Sequence, residues 1–291
     1  MLISPGCIPC MVKQSYTLSR LLGVEDKNVQ SQIIYDTINS LSENKDIQSA
    51  PHFSIKLKSI LADHLNGNSS FQNIKEKNRL SAEKYIKYLE TMIENVNDKL
   101  EMAIRISITG NTIDLGANPN YNLEKEINTI TSDLINLAAL GNFKEDFKKA
   151  NRILFIADNY EEALFDKFLI KQLQPKEVVY AVRSNEILND ITLPDAKNLG
   201  IDKLCKVIES GSRISGTDLN EGTPEFLELY KNADMIIAKG QGNFETLLNS
   251  GKSIYFLFKV KCEVISELCG FPVGTGVLYL NKKNEDNSIL N

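Results

Sequence analysis

Apolar positions are spaced differently in the two halves of the chain. From about Val12 to Gly141 they recur at three- and four-residue steps, as in Ile33, Ile34, Thr37, Ile38 and Leu41, which predicts a mainly helical portion. Helices are expected from Tyr16 to Leu22, from Ser54 to Leu65, as one long helix from Leu80 to Met102, and from Leu123 to Leu140, with a strand-like run around Ile106. From Asn151 onward, short β-branched runs at 153–157, 178–182, 206–208, 235–238 and 253–258 alternate with helical segments. That alternation is the signature of βαβ units and a mainly parallel sheet. The expected architecture is a three-layer α/β/α sandwich. A helical amino-terminal portion over residues 1–145 caps an α/β domain over 146–280, and a polar tail follows over 281–291.

Three of the strands run directly into polar residues. Ile153 to Ala157 leads into Asp158 and Asn159, and Val178 to Val182 leads into Arg183, Ser184 and Asn185 and on to Asn189 and Asp190. Met235 to Ala238 leads into Lys239-Gly240-Gln241-Gly242-Asn243. Open α/β sheets place their ligand sites at these carboxyl ends. Asp158, Asn159 and Asp190 offer the oxygen donors that a hard divalent cation prefers, although Asp158 taken alone could equally cap the helix that follows it. The glycine loop lets backbone amides approach an anion, and Lys239 adds positive charge. The loop matches neither a Walker A loop nor a dinucleotide fingerprint, and it could also be a plain strand-to-helix turn. Asp195 reads as a helix cap, Lys75 and Asn78 as solvated surface, and Lys259 and Lys261 as a second possible anion contact.

Composition narrows this picture. With 291 residues, 42% hydrophobic and 24% charged, the chain has the make-up of a soluble globular protein. A net charge of −5 and no basic cluster give nucleic acid no electrostatic purchase. No apolar run is long enough for a membrane span, and the residues from Met1 to Gly6 lack the regions of a signal peptide, so the cytoplasm is expected. Five cysteines, an odd count, argue against a disulfide framework. Cys7 and Cys10 form a CxxC that could be a zinc half-site completed by Cys262 or Cys269, a redox pair, or two structural thiols; the last reading is preferred.

Several segments, in order, resemble the damage-control phosphatase family, which is related to a proposed acidic-residue methyltransferase. They are the amino-terminal CxxC, GNTID at 110–114, ADN at 157–159, LNDIT at 188–192, KGQGNFE at 239–245 and KVKC at 259–262. The resemblance implies metal-dependent hydrolysis of phosphate esters of sugars or damaged metabolites, with manganese, cobalt or nickel preferred and magnesium possible. Carried over by position, it implies Asp158, Asn159 and Asp190 as metal ligands and Lys239, Gly240 and Asn243 as the phosphate-facing loop. It further implies Asn111 and Asp114 as pocket-lining residues, and Asp158 and Lys239 as the catalytic pair. One departure is Glu161, which stands where the family usually has glycine and is expected to alter the pocket. The rival readings are a binding protein without turnover and a methyltransferase; the latter ranks low because no glycine-rich turn follows the first strand.

Overall fold

The structure, a computed structural model, describes residues 3–44, 47–66, 70–112 and 122–282. Its elements are α1 (Cys7–Leu21), α2 (Lys27–Glu43), α3 (Ala50–His64), α4 (Gln72–Glu83), α5 (Ile86–Glu94), α6 (Lys99–Gly110) and α7 (Leu123–Asn128). Then come β1 (Ile135–Asn136), α8 (Leu140–Lys149), β2 (Arg152–Ile156), α9 (Ala163–Gln172), β3 (Glu177–Val182), α10 (Leu193–Asn198) and β4 (Lys206–Glu209). The chain continues through α11 (Pro224–Asn232), β5 (Met235–Lys239), α12 (Gly240–Leu247), β6 (Ile254–Lys259), α13 (Glu263–Cys269) and β7 (Gly276–Asn281).

The seven strands lie in the order β1-β7-β6-β5-β2-β3-β4, parallel except where β7 runs against β6. Five of them fall where the hydrophobic runs predicted. The edge strand β1 and the antiparallel β7 were not foreseen, because two residues carry no period and β7 turns back against β6 after the short α13 instead of continuing the parallel series. Alternate side chains of β2 enter opposite layers. Ile153 and Phe155 pack with α6 and α9, whereas Leu154 and Ile156 pack with Phe226 of α11 and Phe244 of α12. Burial on both faces makes these strands read as continuous apolar runs.

Three expectations are corrected. The helix expected from Leu123 to Leu140 stops at Asn128 as α7, and β1 lies within the remainder. The segment expected as one helix from Leu80 to Met102 is divided among α4, α5 and α6. The strand-like run at Ile106 lies inside α6, where every residue from Ile106 to Gly110 is buried and only Lys99, Leu100, Glu101 and Arg105 reach the surface, so its second half loses the helical sequence period. The apolar core has separate clusters. Helices α1 to α3 form their own apolar cluster with Ile187 and Leu188, whereas residues from Ala82 onward join the main core. No helix among the described residues is long and apolar enough to cross a membrane.

Because β2 sits between β5 and β3, the chain winds one way from β2 to β4 and then returns to β5 on the other side. The switch point is therefore the gap between the carboxyl ends of β2 and β5, where a doubly wound sheet opens a crevice.

Candidate active site

Asp158 and Asn159 leave β2 at this crevice. Backbone pairing joins them to the segment after β3: Tyr160 donates to the Asn189 carbonyl at 2.9 Å and Ile191 to the Asp158 carbonyl at 2.9 Å, and Asn159 and Asp190 form an isolated antiparallel bridge. The three side chains expected to hold a metal are thus brought to one place.

Asp158 is 6% exposed. Its Oδ2 accepts the amides of Asn111 at 3.2 Å and Asn159 at 3.0 Å, and its Oδ1 lies 3.6 Å from Arg183. Burial pushes its carboxyl well above the ordinary range, the nearby Glu162 and Asp190 push it further, and Arg183 and Lys261 oppose them. The Asn159 amide also donates to Glu162 at 3.1 Å, which leaves its carbonyl oxygen as the ligand-type atom. Asp190 accepts Arg183 Nε at 2.7 Å on one oxygen and the Ser215 hydroxyl at 3.1 Å on the other. Burial raises its pKa and Arg183 offsets part of the rise.

A cavity of about 550 Å³ opens in front of this group. Asp158, Asn159, Asn189 and Ser215 form one wall, and Gln241, Gly242, Glu245 and Lys261 form another. Cys7, Cys10 and Cys262 line the side contributed by α1 and the β6–α13 connection. Asp190 itself is only 1% exposed, behind Ser215.

Lys239 is corrected. Its ammonium is fully buried and turned away from the cavity, donating to Asp166 at 2.6 Å and to the Ser107 carbonyl at 3.0 Å and pairing with Glu162 at 2.5 Å. It serves the interior, not a phosphate. Asn243 is corrected likewise. Its amide donates to the carbonyls of Ala157 at 2.9 Å and Lys239 at 2.7 Å, and its oxygen accepts from Thr217 at 2.8 Å, so it ties β5 to β2. Gly240 is needed for a different reason from ligand approach. A Cβ there would stand 1.9 Å from Asp158 Oδ2, and its φ is +79°. Gly242 similarly accommodates the Ser215 carbonyl, 2.2 Å from where its Cβ would be.

Asn111 is buried and reaches the site indirectly, by holding Asp158 and Glu162; its own oxygen accepts the Lys259 amide at 3.0 Å. Asp114 lies outside the described residues. Glu161 does not face the cavity but accepts from Asn78 at 2.8 Å and Asn189 at 3.1 Å, and burial pushes it up to about 7. Its expected intrusion into the pocket is thus corrected. Lys75 and Asn78 are buried rather than solvated, and Lys75 donates to the Asp190 carbonyl at 2.7 Å and to Asp195 at 2.8 Å. Asp195 caps α10 as expected, through a capping box with Thr192.

The sequence reading gave no role to Glu162, Asp166 or Arg183. With Asp158 and Asp190 they form one buried network in which four carboxylates share two cations, Arg183 and Lys239. Burial pushes up the carboxyls of Asp158, Asp166 and Asp190, like-charged neighbours add to the rise at the first two, and a divalent cation among such oxygen donors would favour their ionised forms. The donor set of Asp158, Asn159 and Asp190 therefore fits such an ion. Among the described residues no three His, Cys, Asp or Glu side chains are gathered as a metal-binding group, at the thiols or at the acids.

The fold and the sequence together are those of a known protein family. The model of the damage-control phosphatase ARMT1-like domain matches residues 3–277, and the chain belongs to that family. It is 32% identical to the damage-control phosphatase PH1575 of Pyrococcus horikoshii over 283 residues, covering 95% of this chain and 97% of that one. It is 33% identical to the uncharacterized protein MJ0202 of Methanocaldococcus jannaschii, over 95% and 94% of the two chains. A damage-control phosphatase of Archaeoglobus fulgidus is 26% identical over 94% and 97%. The crystal structure of PH1575, described as a DUF89 family protein, superposes with a TM-score of 0.82 over 97% of this chain and 100% of that chain, at 30% identity.

Proposed function

We propose that this protein is a metal-dependent phosphatase that hydrolyses phosphate monoesters of small metabolites, such as sugar phosphates or damaged phosphometabolites. Asp158, Asn159 and Asp190 would hold the ion, with manganese, cobalt or nickel preferred over magnesium. The observation that carries this reading is that Asp158 and Asn159 stand on the cavity wall with Asp190 directly behind them, bridged to Asn159 and held by Arg183 and Ser215. When bound, a divalent ion polarises phosphate and lowers the pKa of water.

The chain's own residues do the positioning. Asn111 and Asn159 clamp one oxygen of Asp158, and Arg183 and Ser215 fix both oxygens of Asp190. Lys261, half-buried on the cavity wall and within electrostatic reach of Asp158, takes the phosphate-facing part first expected of Lys239. Its charge, together with the amide end of α12 at Gln241 and Gly242, would stabilise the equatorial oxygens of an in-line transition state. Direct attack by water is preferred to an aspartyl-phosphate, because Asp158 Oδ2 already accepts two amides.

Phosphate release from a panel of phosphate esters, with Mn²⁺, Co²⁺, Ni²⁺ or Mg²⁺ added in turn, tests the proposal. Turnover that depends on the metal is expected. Esters that bind without release would favour the binding-protein reading, and consumption of a methyl donor would favour the methyltransferase.

A further inference from the structure

Asp158, Asn159 and Lys261 are only part of the cavity wall. A buried acid, Glu245, lines the same cavity and has no part in what has been described so far. It lies on α12, the helix whose first residue packs directly on the Asp158 carboxylate. Five residues of helix advance about 7.5 Å, and helical side chains lean back toward the amino terminus. The Glu245 side chain does so, with Oε1 accepting the Gln241 amide at 3.3 Å across one turn. Gln241 in turn accepts the Lys261 backbone amide at 3.1 Å, so the Glu245 carboxyl is tied over the first turn of α12 to the segment that carries Lys261 on the same cavity.

Its surroundings favour the neutral acid. Among the described residues Glu245 has no ion pair, and its neighbours include the thiols of Cys7 and Cys10. Burial pushes it up to about 7, with the Gln241 hydrogen bond opposing. Gln241 occupies Oε1, which leaves Oε2 to carry the proton. The other proton donors on the wall suit the task less well. Burial raises Cys7 and Cys10, Lys261 is assigned to the phosphate, and Glu263 is exposed.

We infer that Glu245 is the general acid of the reaction, protonating the leaving alcohol; this rests on the phosphatase reading above. As the bond from phosphorus to the ester oxygen breaks and water forms the new bond, the Glu245 proton passes to that oxygen. The products are the neutral alcohol and phosphate, the water's proton goes to phosphate or solvent, and Glu245 recovers its own from solvent. An alkoxide is a poor leaving group and needs this proton, whereas a nitrophenolate does not. The natural substrates are accordingly alkyl phosphates, a class that includes sugar and polyol phosphates.

The test is Glu245→Gln, which keeps the size of the side chain and the acceptor for Gln241 but has no acidic proton. For an alkyl phosphate that the wild type hydrolyses, kcat/KM should fall about a hundredfold or more, while for 4-nitrophenyl phosphate it should stay within about threefold. Equal losses on both esters, or none on either, would overturn the assignment. Should the variant fail to fold, the wild type alone decides. Its kcat/KM across esters of graded leaving-group acidity should depend only weakly on leaving-group pKa, and a steep dependence would overturn the proposal. A wild type inactive on every ester would overturn the phosphatase reading itself, a failure distinct from loss of Glu245 as acid.

Discussion

Two lysines near the carboxyl edge of the sheet invite comparison. Lys239 ends β5 and Lys261 follows β6, and from sequence either could receive a phosphate. Lys239 is enclosed by Glu162, Asp166 and the Ser107 carbonyl in the layer between the sheet and α6 and α9. Lys261 stands on the wall of the cavity. One holds the fold together behind the site and the other faces whatever enters it. The same division runs through the whole group, with Arg183, Asn111 and Asn243 behind and Asp158, Asn159 and Glu245 in front. A charged side chain at a strand end thus marks the neighbourhood of a site, and its direction decides whether it acts there.

Lys239→Met offers the largest contrast. It leaves Glu162 and Asp166 buried without their cation, and breaking such a pair costs roughly 3–5 kcal/mol. Urea denaturation should show that loss. A variant as stable as the wild type but catalytically dead would return Lys239 to the phosphate and break the comparison. Lys261→Met should do the reverse. Its kcat/KM for phosphate esters should fall about ten- to a hundredfold, or roughly 1.4–2.7 kcal/mol, while its melting temperature stays unchanged. A large fall in melting temperature would instead place Lys261 with the structural set.

How much of this was legible in the sequence can be traced to particular residues. The meeting of Asp158, Asn159 and Asp190 was legible because they follow two neighbouring strands, and strand position alone brings them together. Lys239 was misread although a signal existed. Met235 and Ile237 of β5 pack in the layer of α6 and α9, and the two-residue period of a strand sends Lys239 the same way. Using that parity required knowing that α6 was a helix covering this face, and its fully buried second half had read as a strand. Glu161 and Asn78 were missed for a related reason: nothing in sequence shows that α4 covers the start of α9. The cavity was the least legible feature, since its walls are gathered from Gly6 to Gln14, Ala50 to Ser54, Gln241 to Glu245 and Lys261 to Val273. Cys7 and Cys10 stand on that wall, a place that could not be read from a CxxC.

The central claim is that the front of the network is built to receive a divalent ion at some cost to the fold, and thermal melting of Asp158→Asn with and without Mn²⁺ tests it most directly. Ionised Asp158 is buried beside Glu162 and Asp190, so its raised pKa means that folding is penalised as pH rises above its unfolded value toward the folded one. The asparagine can place its oxygen where Oδ2 accepts the two amides and carries no charge. The account predicts that the metal-free variant melts at or above the wild type. It also predicts that Mn²⁺ raises only the wild type, by about 2.7 kcal/mol in stability at a hundredfold excess over Kd. A variant that melts below the wild type and keeps the full Mn²⁺ shift would contradict it.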